Sequence, residues 1–286
     1  MSSLPFSPAV PAGAAAHHAE RARPSPRRLS AAALLAISWL APALLVLIWE
    51  LAARAGQVSP QVLPAPSKIA ATAWDLIQQG RLISDLFTSL LRAATGFVIG
   101  GSLGFALGTA VGFSRLAEAL LDRSIQMVRA VPFLAVLPLV IVWFGVDEGG
   151  KIFLVSLGVM FPIYINTVLG IRQVDPKLLE LGKVTGLSNG QLIRRIVLPG
   201  ALPSILAGVR YALAVAWLAL VVAETIATSS GIGFLAMDAR EFLRTDVIVL
   251  TILIYAGIGV LSDAVARLLE RRLLAWHANY AAGGRR

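Results

Sequence analysis

Residues 152–171 read Ile-Phe-Leu-Val-Ser-Leu-Gly-Val-Met-Phe-Pro-Ile-Tyr-Ile-Asn-Thr-Val-Leu-Gly-Ile, twenty in a row without a charge. At 1.5 Å per residue, a helix of that length spans the ~30 Å hydrocarbon core of a bilayer. Two further uncharged runs cover 31–49 and 93–114. The whole chain of 286 residues is 57% hydrophobic and 14% charged, with a mean hydropathy of +0.77. A soluble domain carries ~25% charge, so these residues cannot coat a water-soluble globule. The composition predicts an all-α polytopic membrane protein with six transmembrane helices, at roughly 31–53, 90–113, 124–145, 152–171, 204–225 and 247–267. Arg21, Arg23, Arg27 and Arg28 precede the first run as they would in a secretion signal, but its 19 residues exceed the ~7–15 of a signal core. It reads as an anchor that stays.

The same counts exclude other classes. The chain has no Cys, which removes disulfides, thiolate metal sites and Cys nucleophiles. Its three His are His17, His18 and His277, near the ends, so no imidazole cluster is available for zinc or a His-based triad. A net charge of +9 would suggest nucleic acid in a soluble protein. In a membrane chain it reads instead as loops facing anionic lipid. With the N-terminus inside, 16 Lys and Arg fall on the inner side and 5 on the outer. The positive-inside rule therefore predicts an N-in, C-in topology. Residues 1–30, rich in Ala, Pro, Ser and Arg, read as a disordered basic cytoplasmic tail, 31–275 as the membrane domain, and 276–286 as a C-terminal cytoplasmic tail. The outer segment 54–89 includes an amphipathic stretch starting at Pro66 and Ser67.

Two nucleotide-like motifs fail on context. Gly145 to Ile152 nearly fits G-x-x-x-x-G-K-[ST], but Ile152 has no hydroxyl for Mg²⁺, and no strand precedes the loop. Gly231 to Ala236 fits G-x-G-x-x-G/A with no βαβ unit around it; it reads as a flexible loop near a substrate entrance. Gly96, Gly100, Gly104, Gly108 and Gly112 recur every four residues and form a bare stripe that lets a neighbouring helix approach closely. Charges within spans are few. Glu50, Arg210 and Asp263 sit near predicted ends and reach the interface. Arg129, ahead of Pro132, and Glu224, with the polar Tyr164, Asn166 and Thr167 after Pro162, are candidates for a translocation pathway; polar packing between helices is the alternative for each.

The inner segment 172–203 is the most informative. About 177–199 predicts a two-helix elbow: residues 178–185 form a short helix ended by Gly186. Ser188 as N-cap and Gln191 three residues on form a capping box. The second helix presents Leu192, Ile193, Ile196 and Val197, and Pro199 stops it. A loop between spans has no need of such an apolar elbow, which suggests that it docks on a partner.

This elbow resembles the signature of ABC-importer permeases, Glu-Ala-Ala, three residues, Gly, then a coupling helix and a Pro. Here it stands as Glu180-Leu181-Gly182, three residues, Gly186, with Pro199 downstream. The stretches at 131–135, 143–145, 161–167 and 174–176 are similar to the nitrate/sulfonate/taurine branch, and those at 198–204, 223–225 and 238–243 particularly to aliphatic-sulfonate permeases. The resemblance runs from about 34 to 277. It implies a multi-pass subunit of the bacterial inner membrane that acts with a second copy of itself, two cytoplasmic ABC ATPases and a periplasmic substrate-binding protein. It implies that Glu180, Gly186, Leu187, Ser188, Asn189, Gln191, Leu192 and Ile193 couple to the ATPase, which binds ATP and Mg; this chain would bind no cofactor or metal and carry no catalytic residue. The substrate implied is an aliphatic sulfonate, with taurine, nitrate or another small anion as alternatives. An ion-coupled carrier using Glu224, Asp263 and Arg129 as a relay would need no partner but leaves the elbow unexplained.

Overall fold

The computed structural model describes residues 31–226 and 228–277. The expected tail 1–30 and most of the expected tail 276–286 lie outside the described residues. The chain divides into two units at Val46–Leu47. The first contributes the start of helix α1 (Ala31–Arg54), an apolar helix with Pro42 inside it. The second holds everything from Leu47 onward.

In that second unit α2 (Pro66–Gln78) is an amphipathic helix with Pro66 at its start and Ile69, Thr72 and Leu76 buried. Glu50 accepts hydrogen bonds from Ser67 N (2.9 Å) and Ser67 Oγ (2.7 Å), so its carboxylate serves the free N–H groups of that helix end. Helix α3 (Arg81–Phe113) follows after Gly80, whose φ of 72° suits glycine. Next come α4 (Arg115–Ala117), a π-turn (Glu118–Asp122), α5 (Arg123–Ala130) and α6 (Phe133–Phe144). Helix α7 (Glu148–Arg172) leads to the elbow helices α8 (Pro176–Val184) and α9 (Asn189–Leu192). A second π-turn (Ile193–Val197) joins α9 to α10 (Leu198–Glu224), and α11 (Ile232–Glu241) and α12 (Thr245–Leu273) complete the order.

Five stretches are long and apolar enough to cross a membrane: Ile37–Arg54, Arg81–Phe113, Glu148–Arg172, Asn189–Glu224 and Thr245–Leu273. The expected span at 124–145 is not one straight helix. Arg115–Ala130 and Ala135–Phe144 meet at 103°. Pro132 supplies no N–H and pushes Val131 into an extended conformation (φ −69°, ψ 125°), which ends α5 there. Pro138 and Pro162 lie inside α6 and α7.

The core is built on α3 and α7. Gly96 lies against Val155, Gly100 against Ser156, Gly104 against Met160, Gly108 against Tyr164 and Thr167, and Gly112 against Ile171. Both numbers rise together, so the two helices run parallel. A Cβ at any of the five would overlap α7 atoms, in three cases backbone ones. The stripe is thus a packing seam inside the protein. Helix α10 packs antiparallel on α7, with Gly170 against Ala201, Gly208 against Asn166 and Gly158 against Val215. Ala93, Val155, Val159, Ile163, Ala212, Ala216, Ala219 and Leu220 form the buried centre. At the end away from the elbow, α2 and α11 bury Ile69, Leu76, Ile232 and Leu235 against Leu82, Val247 and Leu250.

Gly100→Leu forces side-chain atoms into the Ser156 backbone and is expected to cost about 3 kcal/mol or more. A thermal melt of the purified protein should fall well below that of Gly257→Ala, whose added methyl meets open space.

Candidate functional site

Three features are candidates for function: a cavity beside the broken span, the elbow, and a buried ionic knot at the end away from the elbow.

The cavity has a volume of about 770 Å³ and is lined from α5 and α6 (including Arg129, Pro132, Phe133 and Trp143), α7 (including Phe161 and Pro162) and α10 (including Tyr211 and Val215). Its placement follows from helix register. Phe133 sits at Gly158, whereas Phe144 sits at Gly149 and Gly150, so α6 runs antiparallel to α7. The break before α6 therefore falls opposite Phe161 and Pro162, near the middle of α7. Arg92 and Arg210, two arginines well inside spans, are each paired with carboxylates, whereas Arg129 has no carboxylate within ion-pairing distance among the described residues. Arg129 is exposed at this break, beside the first turn of α6, whose leading N–H groups lack intrahelical acceptors.

The other expected pathway residues do not join Arg129 in the cavity. Tyr164 is buried and donates from its hydroxyl to Asp122 Oδ1 at 2.6 Å. Asn166 Nδ2 donates to Pro162 O (2.9 Å), and the Asn166 carbonyl accepts from Ser204 Oγ (2.9 Å), tying α7 to α10. Thr167 is fully buried at the glycine seam. All three point away from the cavity, while Phe161, Pro162 and Ile165 on the same helix line it.

Glu224 lies in the ionic knot, fully buried. It takes Arg92 Nη1 at 2.8 Å, Ser89 Oγ at 2.7 Å and Gly233 N at 3.0 Å. Arg92 uses all five of its N–H donors: Nε and Nη2 go to Glu148 (2.5 and 2.6 Å), Nη1 also to Ser230 O (2.7 Å), and Nη2 also to Ser230 Oγ (2.9 Å). Lys151 adds an ion pair to Glu148 at 3.0 Å. Gly231 N donates to Asp85 Oδ1 and Ile232 N to Ser89 Oγ. The segment Gly231–Ala236, expected as a flexible entrance loop, is instead the anchored start of α11. Gly231 has φ 107°, and a Cβ at Gly233 would strike Glu224. The importance of Arg92 was invisible in the sequence because its partners lie 56 and 132 residues away.

The elbow holds its expected caps. Gly186 has φ 81°, and Ser188 and Gln191 make both bonds of the capping box. Two details differ. First, Pro199 does not stop the second helix: Asn189–Glu224 is one continuous helical stretch. The π-turn gives Leu198 N a bond to Ile193 O, and Pro199 falls at the first positions of α10, where an absent N–H costs little. Second, Leu192 and Val197 turn inward. A Cβ at Gly182 would meet Leu192 Cδ2 at 2.5 Å and Ile196 Cδ1 at 2.8 Å, so Gly182 is where the two elbow helices touch. The exposed apolar residues are Leu178, Leu181, Val184 and Ile193, with Val184 86% exposed. Ser188, Asn189, Gln191 and Glu180 are exposed and Leu187 half-buried. Arg210, expected to reach the interface, pairs with Asp263 at 2.6 Å, and Asp263 also takes Arg267 at 2.6 Å.

A bundle of apolar helices, a mid-span cavity with one uncompensated cation and an external elbow together define a membrane-embedded transport subunit. Comparison with known proteins makes this specific. The family model described as binding-protein-dependent transport system inner membrane component matches residues 96–275, and the chain belongs to that family. It is 53% identical over 242 residues to the aliphatic sulfonates transport permease protein SsuC of Escherichia coli (strain K12), covering 85% of this chain and 92% of that one. Identity to SsuC of Bacillus subtilis (strain 168) is 48%, over 84% and 87%. Identity to the taurine transport system permease protein TauC of Escherichia coli (strain K12) is 35%, over 82% and 87%. The fold resembles a crystal structure of an amino acid ABC transporter with histidines (TM-score 0.59, 17% identity, 70% of this chain and 97% of that one). The chain is therefore an inner-membrane permease of the ABC-importer type.

Arg92→Met leaves Glu224 buried without its cation and is expected to cost about 3–5 kcal/mol. The double variant Arg92→Met/Glu224→Leu should recover part of that loss. Thermal melts of the three purified proteins check both outcomes.

Proposed function

We propose that this chain is the membrane subunit through which an ATP-driven importer passes aliphatic sulfonates. The observation that carries this reading is the 53% identity to SsuC, extending over 85% of the chain. An uncompensated Arg129 beside a mid-span cavity supports an anionic cargo. In this reading a second copy of the chain completes the path, a periplasmic binding protein delivers the sulfonate, and two ATPase subunits dock on the elbows. The N- and C-termini and the elbow then lie in the cytoplasm. ATP and Mg belong to the ATPase; this chain binds no cofactor and catalyses no reaction. The 35% identity to TauC keeps taurine as the second reading. An ion-coupled relay is disfavoured because Glu224 and Asp263 are each held by arginines.

The ATPase contact uses the segment from Gly186 to Ile193, with Glu180 beside it. Ile193 and Val184 offer exposed apolar atoms there, and Leu187 adds a half-buried one. Leu192 supports the contact from beneath.

Co-purification from the native host, followed by native mass measurement, tests the assembly. Two copies of this chain with two ATPase subunits are expected; a transport-competent complex without an ATPase overturns the proposal. Ile193→Asp and Val184→Asp should each release the ATPase, whereas Arg129→Ala should retain it and lose uptake at least tenfold. Full uptake by Arg129→Ala would remove that residue from the path.

A further inference from the structure

The chemistry of the cavity wall goes further than the charge of its cargo. The lining is largely apolar. Its polar groups are the Arg129 guanidinium, the Tyr211 hydroxyl and the Trp143 indole N–H, none with a hydrogen-bond or ion-pair partner among the described residues; Tyr211 also borders a second groove that carries Asp263 and Glu270. Tyr211 lies one turn beyond Gly208, which packs at Asn166 and the Pro162 carbonyl, so it stands at the level of the break that presents Arg129. From there the lining continues along α7 from Phe161 to Phe153, eight residues or about 12 Å of helix. At the far end stand Phe153, Trp143 and Leu218, and no carboxylate belongs to the lining.

We infer that the permease itself, and not only a binding protein, selects its cargo: Arg129 and Tyr211 receive the sulfonate, and the apolar wall takes an unsubstituted aliphatic tail. This rests on the transport reading above and names a subsite within it. A small inorganic anion would leave its hydration shell for one guanidinium and gain nothing from the rest of the wall. Taurine would bring an ammonium group to a wall that offers it no carboxylate. An alkanesulfonate satisfies both ends. Each methylene placed against the wall strengthens binding about fourfold until the cavity is full.

The test uses the intact permease–ATPase complex in lipid nanodiscs, titrated with ethane-, butane- and octanesulfonate and with taurine. Binding is read from tryptophan fluorescence, with Trp143→Phe identifying the part of the signal that arises in the cavity. Affinity is expected to rise with chain length. Ethanesulfonate, which differs from taurine by the missing ammonium, should bind at least tenfold more tightly than taurine. Val215→Phe, which fills the wall, should erase most of the gain for octanesulfonate and change ethanesulfonate less than twofold. Leu157→Ala, which enlarges the cavity, should favour octanesulfonate and gives a second reading if Val215→Phe does not fold. Arg129→Ala should weaken all lengths by a similar factor. Affinity independent of length, taurine binding as well as ethanesulfonate, or affinities that Arg129→Ala leaves unchanged at every length would each overturn the inference, the last because it describes tails dissolving in lipid. ATP-driven uptake of ethanesulfonate in proteoliposomes with the binding protein is measured in parallel. Its absence would overturn the transport reading, whereas uptake without length selection would overturn only the subsite.

Discussion

The closeness of α3 and α7 is the constraint on which the rest of the structure depends. Lipid tails are as apolar as leucine, so no hydrophobic gradient holds these helices together, and packing must do so. Five glycines at four-residue spacing let two parallel backbones meet along nearly the whole length of α7, from Val155 to Ile171. Because α7 is fixed this way, its opposite side is free to organise the site. It packs α10 through Gly158 and Gly170, and presents Phe161, Pro162 and Ile165 to the cavity. Tyr164 and Thr167 are consumed by the seam and its surroundings, which is why polar residues within a span are poor indicators of a path.

Helix α10 links the three functional features. Its continuous stretch starts in the elbow at Asn189, carries Tyr211 and Val215 past the cavity, and ends on Glu224 in the ionic knot. Thirty-six residues of helix extend about 54 Å. In the transport reading, displacement of the elbow reaches the cavity wall through one continuous element, because Pro199, expected to stop the elbow helix, does not interrupt it. The π-turn at Ile193–Val197 is the place where that element departs from regular α-helix, and such turns recur at functional positions.

The elbow was legible because its signals are local: Ser188 and Gln191 are three residues apart, and Gly186 is needed for a positive φ. The apolar runs were equally plain, since a bilayer imposes a length that can be counted. What depended on distant partners was not legible. Nothing next to Arg92 in the sequence marks it; Glu148, Glu224 and Ser230, which close around it, lie far along the chain. The inward turn of Leu192 depended on Gly182 lying beneath it, a contact between two helices whose mutual angle no short motif specifies. Pro132 was visible as a breaker, but periodicity cannot say whether a break leaves a kinked span or two segments meeting at 103°.

Placing a guanidinium that has no carboxylate partner among the described residues at such a break has a physical rationale. A regular helix in lipid must satisfy its own backbone, and irregular backbone is tolerated where it lines a cavity. The break at Val131–Pro132 frees the first N–H groups of α6 beside Arg129, so partial and full positive charges gather at one level of the membrane. The wall on either side supplies no counter-charge. An anion reaching that level would neutralise a charge that the fold leaves open, whereas the arginines at positions 92 and 210 already have carboxylates of their own. The contrast separates charges that hold the bundle together from a charge that stands open at the cavity.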